Sequence, residues 1–133
     1  MLNYKKIISR LLDQNIYILS NDNKEAIIID PGLGFDLIDG YLKSENLSPI
    51  AVLATHAHID HIASANDCIK NYNIPFYICR GNSIMLDHYD IMKGYMHVDS
   101  EKPEVSHWIE ESEKKLTVGS FEFNVNYLSL IHI

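Results

Sequence analysis

The chain has 133 residues, 47% of them hydrophobic, with a net charge of −7 and a pI near 5.4. That length holds one domain at most, and the acidic balance argues against a nucleic-acid surface, which needs a basic face. No apolar run approaches the roughly 18 residues of a membrane span, and Met1–Leu12 lacks the apolar core of a signal peptide. Two cysteines, Cys68 and Cys79, read as reduced and mostly buried, in keeping with a cytoplasmic protein.

Taken in order, Tyr4–Leu12 reads as an opening strand, although Ile7, Ile8, Leu11 and Leu12 also fit helical spacing. Asp13-Gln14-Asn15 turns the chain into a second strand, Ile16–Ser20. Asn21–Lys24 has hairpin-loop chemistry and leads to a third strand ending at Asp30, where Pro31-Gly32 stops it. An inert β-meander is the alternative for this region. Phe35, Ile38, Tyr41 and Leu42 predict an amphipathic helix from Asp36 to Asn46, weakened by Gly40, with Pro49 after its stop. Ile50–Ala54 is a short apolar run, a buried strand.

The densest chemistry follows at once, in Thr55-His56-Ala57-His58-Ile59-Asp60-His61. Residues two apart on an extended loop point the same way, so His56, His58 and Asp60 converge, with His61 at the turn into a helix that runs from Ile62 to about Asn71. Imidazole suits zinc and iron, and carboxylate suits harder divalent ions. Four donors on one loop exceed the needs of a single open site and fit two half-sites, each completed from elsewhere. Two ions about 3.5–4 Å apart can share a bridging hydroxide and polarise a carbonyl or phosphoryl oxygen. The bland alternative is a polar helix start with Asp60 as N-cap.

Phe76–Cys79 is a further strand, and strand–helix–strand alternation argues for a layered α/β sheet. Gly81–His88 predicts a short helix. Tyr89–Trp108 reads as a long loop, with Lys93 or Tyr95 available to substrate and Trp108 as its anchor. His88, His97 and His107 read as surface histidines. Glu110–Lys115 is a solvated connector, and Leu116–Val118 and Phe121–Val125 are strands joined at Gly119-Ser120. No internal repeat is present.

His-x-His-x-Asp-His after an apolar strand resembles the metal motif of the metallo-β-lactamase fold, the metallohydrolase superfamily that includes glyoxalase II. The resemblance covers nearly all of residues 3 to 127. It includes Asn15–Leu19, the run Ala26–Gly32, and Leu116–Gly119 before Phe121. It implies an αββα sandwich, of which this chain would be the first half. It also implies that His56 and His58 bind a first metal and Asp60 and His61 a second, with Asp60 in the catalytic centre. Asp30, otherwise a turn-capping carboxylate, would be an outer carboxylate orienting the loop.

By the same resemblance the cofactor is zinc, two ions, with iron or manganese as alternatives. The reaction is hydrolysis of a small-molecule thioester of the glyoxalase II kind, by attack of a metal-bridged hydroxide on a carbonyl. A lactonase or β-lactamase reaction is the runner-up, and an inactive metal-binding fragment the reading from a different class. The family also needs a third histidine, a bridging aspartate and a last histidine, normally beyond the point where this chain stops. The chain is therefore expected to be a truncated, inactive piece of a longer enzyme. His132 stands near the place of the third histidine but without Pro or Gly around it. Leu128–Ile133 resembles the translation of a transposon mosaic end used in sequencing libraries, and is read as a non-native tail.

Overall fold

A computed structural model describes residues 2–125. The readings made for His132 and for Leu128–Ile133 lie outside them. Six strands form one sheet: β1 (Asn3–Ile8), β2 (Asn15–Ser20), β3 (Glu25–Ile29), β4 (Ser48–Ala54), β5 (Phe76–Cys79) and β6 (His107–Ile109), in that spatial order. β1 and β2 are an antiparallel hairpin with Ile7 opposite Ile16, and β3 returns antiparallel to β2. From β3 onward the sheet is parallel, with Ile28 beside Val52, Leu53 beside Tyr77 and Ile78 beside Trp108. A parallel pair needs a crossover. The crossovers are α1 (Phe35–Ser44), then α2 (Ile59–Ile62) with α3 (Ala65–Tyr72), then α4 (Ser83–Asp87) with α5 (Tyr89–Met96).

The helices cover one face. Ile38 and Leu42 of α1, Cys68 of α3, Leu86 of α4 and Tyr89 of α5 pack with Ile16, Ile28, Val52 and Ile78 of the sheet. The other face meets a second, two-stranded sheet, β7 (Lys115–Val118) with β8 (Phe121–Asn124), through Ile27, Ala51, Ile109, Leu116, Val118 and Phe121. The strands are apolar on both parities because they are covered on both sides. The layers are thus helix, sheet and second sheet, the mixed α/β arrangement expected.

Several local expectations are corrected. β1 ends at Ile8, because Leu12 and Asp13 take positive φ in the turn. Pro49 lies inside β4, opposite Ala26, where the register shifts and a missing N–H is tolerated. α1 stops at Ser44 before Asn46 turns left-handed. The helix expected from Ile62 to about Asn71 starts earlier, at Ile59, and is broken into α2 and α3. Tyr89–Trp108 is not one loop. Tyr89, Met92 and Met96 recur at helical spacing and pack on the core, with Tyr89 fully buried, while exposed Ile91, Gly94 and Tyr95 hide that pattern in the sequence. Trp108 belongs to β6, half-buried under the Arg80 guanidinium at 5.1 Å.

Candidate metal centre

In a parallel sheet, ligands gather at the carboxyl ends of the strands. Here the ends of β3, β4 and β5 deliver Asp30, the segment Thr55–His61 and Asn82 to one place. β4 ends at Ala54, the chain bends at Thr55, and His58 has extended φ and ψ of −67° and 142°. At Ile59 the backbone turns helical, so Asp60 and His61 project from α2 rather than from an extended loop. Ala57 and Ile59 are buried, which anchors the segment and leaves its four polar neighbours half-buried.

The three imidazoles cluster. Ring centroids lie 5.3 Å apart for His56 and His61, 5.9 Å for His56 and His58, and 6.4 Å for His58 and His61. His61 Nε2 stands 3.7 Å from Asp60 Oδ2. Among the described residues, as the side chains stand, no three His, Cys, Asp or Glu groups close around one point tightly enough to hold an ion.

Asp30 organises the cluster. It sits just past β3 with φ of 52°, the left-handed region that Asp tolerates better than most residues. Its Oδ1 accepts from the Thr55 backbone N–H at 2.6 Å and its Oδ2 from the Thr55 hydroxyl at 2.6 Å. The same Oδ2 lies 3.0 Å from His61 Nδ1. The Thr55 hydroxyl has given its only proton to Asp30, so at 3.0 Å from His56 Nδ1 it accepts. In the neutral form each imidazole therefore carries its proton on Nδ1 and keeps the Nε2 lone pair free. The hydrogen bond to Asp30 raises the His61 pKa above its ordinary value, against the effect of burial. Burial lowers that of His56, with neighbouring His61 adding to it.

This donor chemistry fits divalent metal. Two histidines have Nε2 free with Nδ1 held by an oxygen, the arrangement that fixes tautomer and ring orientation in metal sites. His61 and Asp60 pair a nitrogen with a carboxylate at a spacing an ion can bridge. The structure brings together His56, His58, Asp60, His61 and Asp30, and leaves His88, His97 and His107 exposed. Lys93 is tied to Ser100 and Asp90, while Tyr95 is exposed.

Sequence reading missed three contributors. Gln14, in the β1–β2 turn, packs its amide Nε2 3.4 Å from His61 Nδ1, a contact without a hydrogen bond because Nδ1 donates to Asp30, while its buried Oε1 has no partner. Gly32 lies so close under the loop that a Cβ there would fall 2.5 Å from the Asp60 carbonyl oxygen. Asn82 bonds the backbone between the first two histidines. Only the Pro31-Gly32 pair carried a local signal, and that signal reads as a turn.

The metallo-beta-lactamase superfamily model matches residues 9–126. A hydroxyacylglutathione hydrolase of Buchnera aphidicola subsp. Schizaphis graminum is 45% identical over 65 residues, covering 49% of this chain and 26% of that protein. The probable metallo-hydrolase YqgX of Bacillus subtilis is 37% identical over 67 residues, 50% of this chain and 31% of that protein. Among solved structures, BLEG-1 B3 metallo-beta-lactamase superposes with a TM-score of 0.79 at 34% identity, over 92% of this chain and 59% of its own. TTHA1623 in a di-iron-bound form shares the fold, with a TM-score of 0.74 at 21% identity over 86% and 57% of the two chains. The matched stretches span less than a third of these curated relatives and less than two thirds of these solved chains.

Proposed function

The chain belongs to the metallo-beta-lactamase superfamily, and from that premise we propose that it carries the strand-end ligands of a dinuclear metallohydrolase acting on a small-molecule thioester in the cytoplasm. The observation that carries this reading is the Asp30 carboxylate. It holds His61 directly and His56 through Thr55, and so leaves a free Nε2 on each. His56 and His58 hold the first ion, and Asp60 and His61 the second. Zinc suits the imidazole-rich side, with iron or manganese as alternatives given the carboxylate. Ions bound there supply Lewis acidity toward a carbonyl oxygen and lower the pKa of water. The chain's own part is to fix tautomers, to aim four donors, and to exclude water beneath them through buried Ala57 and Ile59.

Relatives named hydroxyacylglutathione hydrolase favour the thioester. The 34% identity to BLEG-1 favours a second reading, a β-lactam- or lactone-type amide or ester. On either reading the described residues give two donors per ion, fewer than the three protein ligands of a catalytic zinc. The described residues are therefore expected to bind metal without turnover.

Zinc calorimetry tests the ligand set: His58→Ala weakens binding by at least about tenfold, since losing a ligand costs more than losing an outer partner. Unchanged affinity overturns the assignment. Hydrolysis of hydroxyacylglutathione or a lactone above the metal-only blank, abolished by Asp60→Ala, overturns the inactivity of the chain alone.

A further inference from the structure

We infer that Asn82 is a positioning residue for the His56–His58 half-site, the counterpart of Asp30 on the opposite side of β4. The metal loop leaves β4 between two parallel neighbours. Asp30, at the end of β3, grips its entrance at the Thr55 N–H. Asn82 closes the 3-10 turn Arg80–Asn82 that follows β5. It is a polar side chain only 4% exposed. Its Oδ1 accepts the Ala57 backbone N–H at 3.1 Å, and its Nδ2 faces the Cys79 carbonyl at 3.4 Å. The N–H donor of Ala57 fixes which end of the amide is oxygen.

The bond matters because of where it falls. Ala57 separates the two histidines, and its side chain is buried. Fixing its peptide N–H toward β5 sets the rotation of the segment about its own axis, and with it the direction in which both flanking imidazoles leave the backbone. Asp30 does not reach this peptide; its bonds are to Thr55 and His61. Without Asn82 a buried N–H is left unpaired, and the segment gains from twisting to satisfy it.

This inference rests on the metal reading above, and its test separates the two. Asn82→Leu keeps the branched shape and deletes both acceptor and donor, whereas Asn82→Asp keeps the acceptor and deletes only the donor. Cobalt(II) is titrated into the 133-residue chain and both variants, followed by visible absorption, after far-UV circular dichroism has established that their folds match without metal. Asn82→Leu is expected to weaken cobalt binding by at least about tenfold, the low end for outer partners, and to change the absorption envelope. Asn82→Asp is expected to restore both. Equal binding by Asn82→Leu and the unsubstituted chain overturns the inference, as does an equal loss in both variants. If Asn82→Leu loses its fold, Asn82→Ser, whose hydroxyl is too short to reach Ala57, is read by the same two outcomes. If the unsubstituted chain takes up no cobalt, the metal reading fails and Asn82 is judged by hydrogen exchange of the Ala57 amide without metal. Faster exchange in Asn82→Leu than in Asn82→Asp then supports Asn82 as the residue that fixes the segment between His56 and His58, and equal rates overturn it.

Discussion

Asp30 Oδ2 lies 3.0 Å from His61 Nδ1 and, at 2.6 Å, also accepts the Thr55 hydroxyl proton, so one carboxylate oxygen serves two histidines assigned to different ions. Asp30→Asn keeps the shape but removes the charge, and one of its two terminal atoms becomes a donor. Such an amide cannot accept from both the Thr55 N–H and the hydroxyl–imidazole side. Affinity for divalent metal is expected to fall by about 10–100-fold, the range for lost outer partners, with both binding steps affected in zinc calorimetry. A loss confined to one step would contradict the shared role.

Thr55→Val tests the indirect arm. It deletes the hydroxyl that accepts from His56 Nδ1 but leaves the Thr55 N–H on Asp30. Its effect on metal affinity is expected to be smaller than that of Asp30→Asn. In the double variant the two losses should fall short of additive, because both cut one chain of bonds. Strict additivity, measured by competition with a chromophoric chelator, would mean that His56 is held independently of Asp30.

The His56–His61 cluster was legible because three histidines and an aspartate within six residues have no obvious structural purpose. By its own sequence context Asp30 was legible as a strand-ending carboxylate, and its role in orienting the loop came from the family resemblance alone, since its partners lie 25 and 31 residues away. Gln14 and Asn82 were not legible at all. A lone amide in a turn has no spacing signal, and its role appears only when three strand ends meet. Of the fold, α1 and the strands other than β6 followed apolar periodicity. α5 was lost because Gly94 and exposed Ile91 and Tyr95 break its pattern, although Tyr89 is fully buried. The division into α2 and α3 also escaped, since periodicity from Ile62 to Tyr72 cannot register a two-residue interruption at Ala63 and Ser64.

Tyr72 ties α3 to α1, donating its hydroxyl to Asp39 Oδ1 at 2.7 Å, while Lys43 holds the other carboxylate oxygen at 2.8 Å. Burial, then Asp39, pushes the Tyr72 phenol above its ordinary value. Lys43 first, then Tyr72, holds Asp39 below its own. The signs are opposite. The Tyr72 contribution is complete below its unfolded value of about 10 and is lost as pH rises through the higher folded value. That of Asp39 is complete above about 3.9 and is lost as pH falls through the lower folded value. Tyr72→Phe is therefore expected to flatten the alkaline limb of the melting-temperature profile. It also costs about 0.5–1.5 kcal/mol at neutral pH, one hydrogen bond. An unchanged alkaline limb would refute the assignment.

Gly32 and Gly40 give opposite expectations for the same substitution. A Cβ on Gly32 would lie 2.5 Å from the Asp60 carbonyl oxygen, 2.6 Å from Gln14 Oε1 and 2.7 Å from Ser9 Oγ. Gln14 is flexible, but the Asp60 oxygen is backbone, and Ser9 Oγ is pinned by the N–H groups of Leu11 and Leu33. Gly32→Ala must therefore lift the turn that carries Asp60 and His61, a shift of the kind that costs about 1–3 kcal/mol when atoms are forced into a packed site. Gly40 is in the exposed part of α1, and a Cβ there meets nothing within 4 Å. Gly40→Ala should stabilise by about 0.5–1 kcal/mol through backbone entropy alone. Chemical denaturation measures both. Metal titration then distinguishes them, since Gly32→Ala moves Asp60 relative to His56 and should weaken the second binding step, whereas Gly40→Ala should leave both steps untouched. A Gly32→Ala chain as stable as the parent, with both binding steps intact, would show that α2 can ride outward without carrying its ligands out of place.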